Sequence, residues 1–372
     1  MPKKISIIIV ASLLSLSKLL AQDLTFSQFY ENPILRNPAL SGIFEGDVRV
    51  QATSKNQWQS VTVPYKTQAL STEVKFPIGE HADWMTAGIQ ITHDVAGDIQ
   101  LGRTALLPVV NYHKSMSNDN DNYLSLAFMG GPVISQFNPI LLMMGDQFNA
   151  STGSYDPSIV SNQRFNRSSF TYLDLSTGLS WSSSFDIGNN GTARYYLGMG
   201  LFHLNRPKVG FYTKDTVSLL SQRITVNGGL TLPLSEFDKL IFYGDYIRQG
   251  GNRQFLGGVL YGRDLFHDFS ASNDDLFKDI SIYAGALYRW SDALVPTIKM
   301  DLYDFSAGIS YDITLNQLAS ASQLKGGFEF NISYKARLKN RRLGQYIDPN
   351  SSSGSRYDRG SRNKVDCAKP TF

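Results

Sequence analysis

Cysteine occurs once in the 372 residues, only 18% of residues are charged, and past the first twenty positions there is no long apolar run. One Cys excludes a disulfide framework and any Cys-based zinc or iron–sulfur site. Sparse charge with 42% hydrophobic and 12% aromatic residues excludes an intrinsically disordered chain. With no later stretch near the roughly 20 apolar residues a membrane helix needs, helical spans are excluded too. The five histidines, His81, His93, His113, His203 and His267, share no spacing that suits a common metal. No G-x-S-x-G, H-E-x-x-H or phosphate-binding glycine loop occurs. The expectation is a protein without catalytic residues, cofactor or metal.

Charge is unevenly placed. Residues 1–21 hold three Lys and no acid, residues 336–372 hold nine Lys or Arg against three Asp, and the formal total is +3, so the middle is acidic. That pattern does not describe a nucleic-acid binder. Lys3 and Lys4, the apolar run Ile5 to Leu16 and the small-residue exit at Ala21 read as a secretory signal peptide over 1–21, cleaved before Gln22.

From Asp47 to Ala336 the chain falls into segments of alternating polarity separated by Gly, Asn, Asp, Ser and Pro. Period two puts alternate side chains on opposite faces of a strand. In 222–232, Ile224, Val226, Leu230 and Leu232 share one face, and Arg223, Thr225, Asn227 and Thr231 the other. In 324–336, Phe328, Phe330, Ile332 and Tyr334 oppose Lys325, Glu329, Asn331, Ser333 and Lys335. About fourteen such segments are predicted: 47–54, 66–76, 84–93, 103–112, 122–130, 169–181, 193–203, 222–232, 239–248, 254–262, 279–290, 293–302, 305–312 and 324–336.

Two all-β architectures compete: a soluble sandwich with its apolar faces buried, and a transmembrane antiparallel β-barrel with those faces on lipid. The barrel is favoured by the even tally and by charges on the inward faces: Glu73, Lys75, Arg223, Asp245, Arg289, Glu329 and Lys335. Aromatic clusters near segment ends also favour it: Tyr195, Tyr196 and Phe202, or Tyr283 and Tyr288 with Trp290. Closure removes the open edges of so many strands. Glycines on the faces, including Gly198, Gly200, Gly257, Gly258, Gly285 and Gly308, suit bends and close contacts in a barrel wall. Connections 131–168 and 204–221 are long and follow odd segments, as outer loops do; 263–278 is long on the opposite side. The longest, 131–168, is read as a lid, plug or docking surface. Asn118 to Asn122 reads as a turn, not a calcium loop. Residues 337–372 read as a basic periplasmic tail, with Cys367 a free thiol. Arg289 and Glu329 are expected to form a luminal charge pair, Trp58 and Trp290 to be interface aromatics, and His203, Asn205 and Pro207 to form a strand end and loop start.

Gln22-Asp23-Leu24-Thr25-Phe26-Ser27-Gln28-Phe29-Tyr30-Glu31-Asn32-Pro33, then Asn37-Pro38-Ala39-Leu40-Ser41-Gly42, closely resembles the opening of the PorP/SprF family. Asn56-Gln57-Trp58 with Pro64, Phe202-His203-Leu204-Asn205-Arg206-Pro207, and Tyr288-Arg289-Trp290-Ser291-Asp292 with Ser310-Tyr311-Asp312 resemble later family elements. The resemblance covers nearly all of 22–336. It implies an outer-membrane barrel of type IX secretion and gliding motility in Bacteroidetes. Some members hold a secreted adhesin at the surface through its C-terminal domain, and others dock onto the periplasmic translocon ring. A passive porin-like channel is the alternative from another class, and an outer-membrane hydrolase the third. The expected partners are outer-membrane lipid with the adhesin domain or ring proteins. In the opening segment, 22–46, Asn32-Pro33 and Asn37-Pro38 are expected to deny helix, and Phe26, Phe29 and Tyr30 to act as anchors. Phe26, Phe29, Tyr30, Asn32, Pro33, Asn37 and Pro38 are therefore the candidate site, serving as a partner tether or as a plug of the chain's own barrel.

Overall fold

A computed structural model describes residues 23–337 apart from 58–62, 79–81, 118–121, 157, 160, 162–164, 166, 189–190, 212–217, 267–279 and 317–324. The signal segment, residues 338–372 with Cys367, Trp58, and 118–121 of the expected turn therefore lie outside the described residues. Among the described residues no helix is long and apolar enough to cross a membrane.

The strands are β1(Val48–Gln57), β2(Tyr65–Pro77), β3(Trp84–Ala96), β4(Leu101–Ser115), β5(Tyr123–Gln136), a short hairpin β6(Phe148–Asn149) and β7(Ser154–Tyr155), β8(Ser169–Asp186), β9(Thr192–Phe202), β10(Arg223–Pro233), β11(Asp238–Gln249), β12(Asn252–Phe266), β13(Ile280–Arg289), β14(Ala293–Leu302), β15(Phe305–Thr314) and β16(Lys325–Ala336). All but β6 and β7 join edge to edge into one closed barrel, so fourteen strands form its wall. Every neighbouring pair in the wall is antiparallel, and β1 closes on β16 from Val48↔Ala336 to Gln57↔Gly327. Each predicted segment coincides with one wall strand. The sandwich is excluded by this closure.

Alternation sorts the wall as expected. Phe128, Leu197, Ile298 and Phe328 are 62%, 56%, 55% and 50% exposed on the outside, while Thr86, Asn111, Asn227, Glu329 and Asn331 are buried on the inside. An outward apolar band with an inward polar face is the pattern of a barrel in lipid. The aromatic clusters divide differently from the sequence expectation. Trp290 and Tyr288 lie outside in edge-to-face contact, but Tyr196, Phe202 and Tyr283 point inward and are buried.

The start of β1 and the end of β16 define a near rim, where the Asp47 amide donates to the Ala336 carbonyl at 2.8 Å. The far rim carries the connections 137–168 and 203–222. Strand β5 runs on to Gln136, so the long far-rim connection starts six residues later than expected, and it contains two single-turn 3-10 helices and the β6–β7 hairpin. Strand β12 also runs on, to Phe266, which shortens the long near-rim connection; 267–279 lie outside the described residues.

Candidate functional site

Residues 23–46 run inside the barrel from the far rim to the near one. The segment folds as three short turns: Phe29–Glu31 and Pro38–Leu40 in 3-10 form, and Pro33–Arg36 as one α-helical turn. The prolines were expected to deny helix, and instead each starts a helical turn. Asn32 and Asn37, the residues before them, keep non-helical backbone, as steric clash with the proline ring requires. Each Pro then takes the first helical position, where its missing N–H costs nothing.

The far end is fixed by charge. Asp23 pairs with Arg103 at 2.6 Å, Arg223 at 3.3 Å and His203 Nε2 at 2.6 Å. His203, just past the end of β9, also contacts Asp174 through Nδ1 at 2.8 Å. Carboxylates only accept, so both ring nitrogens donate and the ring is an imidazolium. Burial lowers the His203 pKa, but its bonds to Asp174 and Asp23 outweigh this and raise it above its ordinary 6.5. Burial likewise works against charge on Asp23, yet Arg103, Arg223 and His203 together hold its carboxyl well below 3.8. His203 is a strand end, as expected, and in addition an anchor of the luminal segment.

Four residues further in, the amides of Ser27 and Gln28 donate to the two oxygens of Glu329 at 2.6 and 2.8 Å. Lys55 donates to Ser27 Oγ at 2.7 Å, and Asn331 to Gln28 Oε1 at 2.6 Å. The expected Arg289–Glu329 pair does not form. Arg289 instead pairs with Asp312 at 3.0 Å and with Asp292, because Glu329 is already occupied by backbone amides. Both residues nevertheless grip the same point, since Arg289 also donates to Ser27 Oγ at 3.3 Å.

The aromatic anchors dock on an apolar inner patch. Tyr30 stacks on Tyr243 with ring centroids 4.5 Å apart, and Phe29 meets the same ring edge-on at 6.4 Å. Ile241, Leu256, Leu260, Leu287 and Val295 complete the patch. Ile34 enters a second patch of Leu107, Val109, Met129 and Val133. Each such side chain contributes roughly 1.5–3 kcal/mol when fully buried. The lumen is thus not uniformly polar, as alternation had suggested; β11 to β14 carry apolar residues on both faces. Phe26 is also buried.

The middle of the segment is held through both its side chains and its backbone. Asn32 Oδ1 accepts from Thr53 at 3.1 Å, and Glu31 pairs with Lys299 at 2.8 Å. Arg36 forms a two-bond pair with Asp245, and Thr225 donates to the Arg36 carbonyl at 2.6 Å. Asn37 Nδ2 donates to the Leu179 carbonyl at 3.0 Å, and Asn111 donates to the carbonyls of Ala39 and Ser41. Near the near rim, Gly42 N–H donates to Glu73 at 2.8 Å, and Phe44 lies between Arg49 and Lys75, each 4.5 Å from its ring centroid.

Small wall residues make room. A Cβ on Gly178 would meet Asn37 Oδ1, one on Gly198 would lie 2.6 Å from Asn37 Nδ2, and one on Gly308 2.6 Å from Gln28 Oε1. Gly178 and Gly200 face each other across β8 and β9, so a stretch of wall without side chains lies beneath the Asn37-Pro38 turn. All seven candidate residues therefore lie in the lumen. Sequence reasoning missed their receptors: Asp245 and Glu329 showed only as inward charges, while the cage around Asp23 is assembled from four separate segments without any local pattern.

The family described as "Type IX secretion system membrane protein PorP/SprF" matches residues 19–334. Among solved structures, the chain is similar to a TodX monoaromatic hydrocarbon channel mutant at 12% identity and TM-score 0.42, covering 83% of this chain and 94% of that one. It is similar to the CymD monoaromatic hydrocarbon channel at 10% identity and TM-score 0.41, over 86% and 96% of the two chains. For CdiB from Acinetobacter baumannii the values are 9% and 0.37, with 77% of this chain covered but only 60% of that one. Comparison with curated proteins finds no match. With a closed wall, an apolar belt and a match spanning segment and wall alike, the chain belongs to the PorP/SprF family of type IX secretion system membrane proteins, as an outer-membrane β-barrel.

Proposed function

We propose that this barrel is a non-enzymatic anchor that holds a secreted adhesin, through its C-terminal domain, at the cell surface for gliding motility, with the far rim facing outward. The single observation that carries the reading is the filled lumen: a wall that grips its own N-terminal segment along the whole bore suits a scaffold better than a passive channel. Long connections on the far rim support its outward orientation. There the 137–168 lobe offers Ile140 and Met143, 89% and 69% exposed, beside a cavity of about 520 Å³ lined by Phe137, Pro139, Leu142, Met144, Phe165 and Arg167. Exposed apolar groups at a rim are a docking surface for protein. Docking onto the periplasmic translocon ring through the near rim and the basic tail is the other reading that the family suggests.

Deleting 140–160 while checking that the barrel still inserts tests the anchor. Loss of adhesin display, with adhesin absent from protein purified out of native membranes, is expected. Normal display, or recovery of ring proteins alone, would overturn the reading.

A further inference from the structure

The outward face of the β11–β12 hairpin bears two charges that no group among the described residues offsets. Arg248 and Arg253 stand directly opposite each other at the far rim, next to the hairpin turn at Gly250 and Gly251, and both are exposed. Like charges in that position repel. Among the described residues neither takes part in an ion pair, whereas two outward cations of the near rim, Lys114 and Arg263, have Asp83 at 2.8 Å and Asp238 at 3.6 Å. One step toward the membrane, the next outward pair is Tyr246 opposite Phe255. Trp290 lies beside it, its amide donating to the Phe255 carbonyl at 2.9 Å. Ile224 flanks Arg248 on β10. The two guanidinium groups thus crown an aromatic girdle, at the level where lipid headgroups meet a barrel.

We infer that Arg248 and Arg253 form a binding site for the phosphate of an anionic lipid headgroup in the far-rim leaflet. Guanidinium groups fit phosphate oxygens through paired, charge-assisted bonds. A phosphate between them turns mutual repulsion into a shared attraction, while Tyr246, Phe255 and Trp290 supply surface for the glycerol and upper acyl chains. The tight hairpin turn fixes the spacing of the two arginines before lipid arrives.

The test uses the full chain in nanodiscs of phosphatidylcholine with a minor fraction of phosphatidylglycerol, and counts retained lipids by native mass spectrometry. Wild type is expected to retain phosphatidylglycerol preferentially. R248Q/R253Q should lose about thirtyfold in that preference, the effect of two basic residues at an anionic surface, with unchanged heat-modifiable migration. Inorganic phosphate at equal concentration should neither displace the lipid nor raise the unfolding temperature. Should the double variant fail to insert, R248Q alone is read in the same way. Equal retention by variant and wild type would overturn the site, and displacement by free phosphate would overturn its assignment to lipid.

Discussion

Arg36 and Asp245 meet in the middle of the lumen through two hydrogen bonds of 2.7 and 2.5 Å, one partner on the threaded segment and the other on β11. Both side chains are buried, at 5% and 2% exposure. Away from water, each ion depends on the other for its stabilisation.

Asp245→Asn or Arg36→Met alone leaves one buried charge without its counterpart and is expected to cost about 3–5 kcal/mol. Joint replacement, R36M/D245L, should recover most of the loss, since an apolar pair of similar volume is often neutral. Thermal unfolding in detergent, followed by circular dichroism, reads both. Singles and double falling by equal amounts would show that the pair is not coupled.

The far anchor depends on pH through Asp23 and His203, with Asp174, Arg103 and Arg223 as the surrounding charges. His203 has a raised pKa, so its contribution is complete below about 6.5 and is lost as pH climbs through the folded value. Asp23 has a lowered one, so its contribution is present above about 3.8 and is lost only as pH falls through the depressed value. The anchor is therefore tightest in mildly acidic solution and loosens on alkalinisation. Hydrogen exchange at the amides of 24–28 should quicken between pH 6 and 9 beyond the intrinsic base catalysis, and His203→Gln should abolish that excess. An excess that persists in the variant would place the titrating group elsewhere.

Gly198→Val is expected to exclude Asn37 from its groove, because even a Cβ there lies 2.6 Å from Asn37 Nδ2 and close to Asn227. The wall should still close, since that position faces the lumen, but 23–46 should become sensitive to added protease. Continued protection would mean that the segment can shift aside.

Phe128 lies mid-strand on the outer face of β5. Phe128→Arg is expected to destabilise the inserted barrel by about 2–4 kcal/mol, the depth-dependent cost of arginine facing lipid. Urea-driven unfolding from liposomes measures it; an unchanged midpoint would remove the lipid-facing assignment.

The wall was legible because alternation is local: Ile224 and Val226 against Arg223 and Thr225 need no knowledge of other strands. The resemblance at 22–42 singles out the segment that threads the lumen, and Phe26, Phe29 and Tyr30 are its expected anchors. Their receptors were not legible. Ile241, Leu256 and Leu287 sit on strands that are apolar on both faces, where period two carries no signal. The Arg289–Glu329 expectation failed because alternation gives a face and not a register; Ser27 and Gln28 take Glu329, leaving Arg289 to Asp312. Gly198 and Gly308 suit bends or close contacts in a wall, but that Asn37 and Gln28 are what lies against them, with Asn37 also against Gly178, only the threaded segment reveals.

Planar-bilayer recording on the reconstituted chain tests most directly whether residues 23–46 close the bore. The full chain is predicted to show no steady conductance, and a variant lacking 23–42 should open in large, stable steps. Stable conductance through the full chain, unaltered by that deletion, would contradict a barrel corked by its own N-terminal segment.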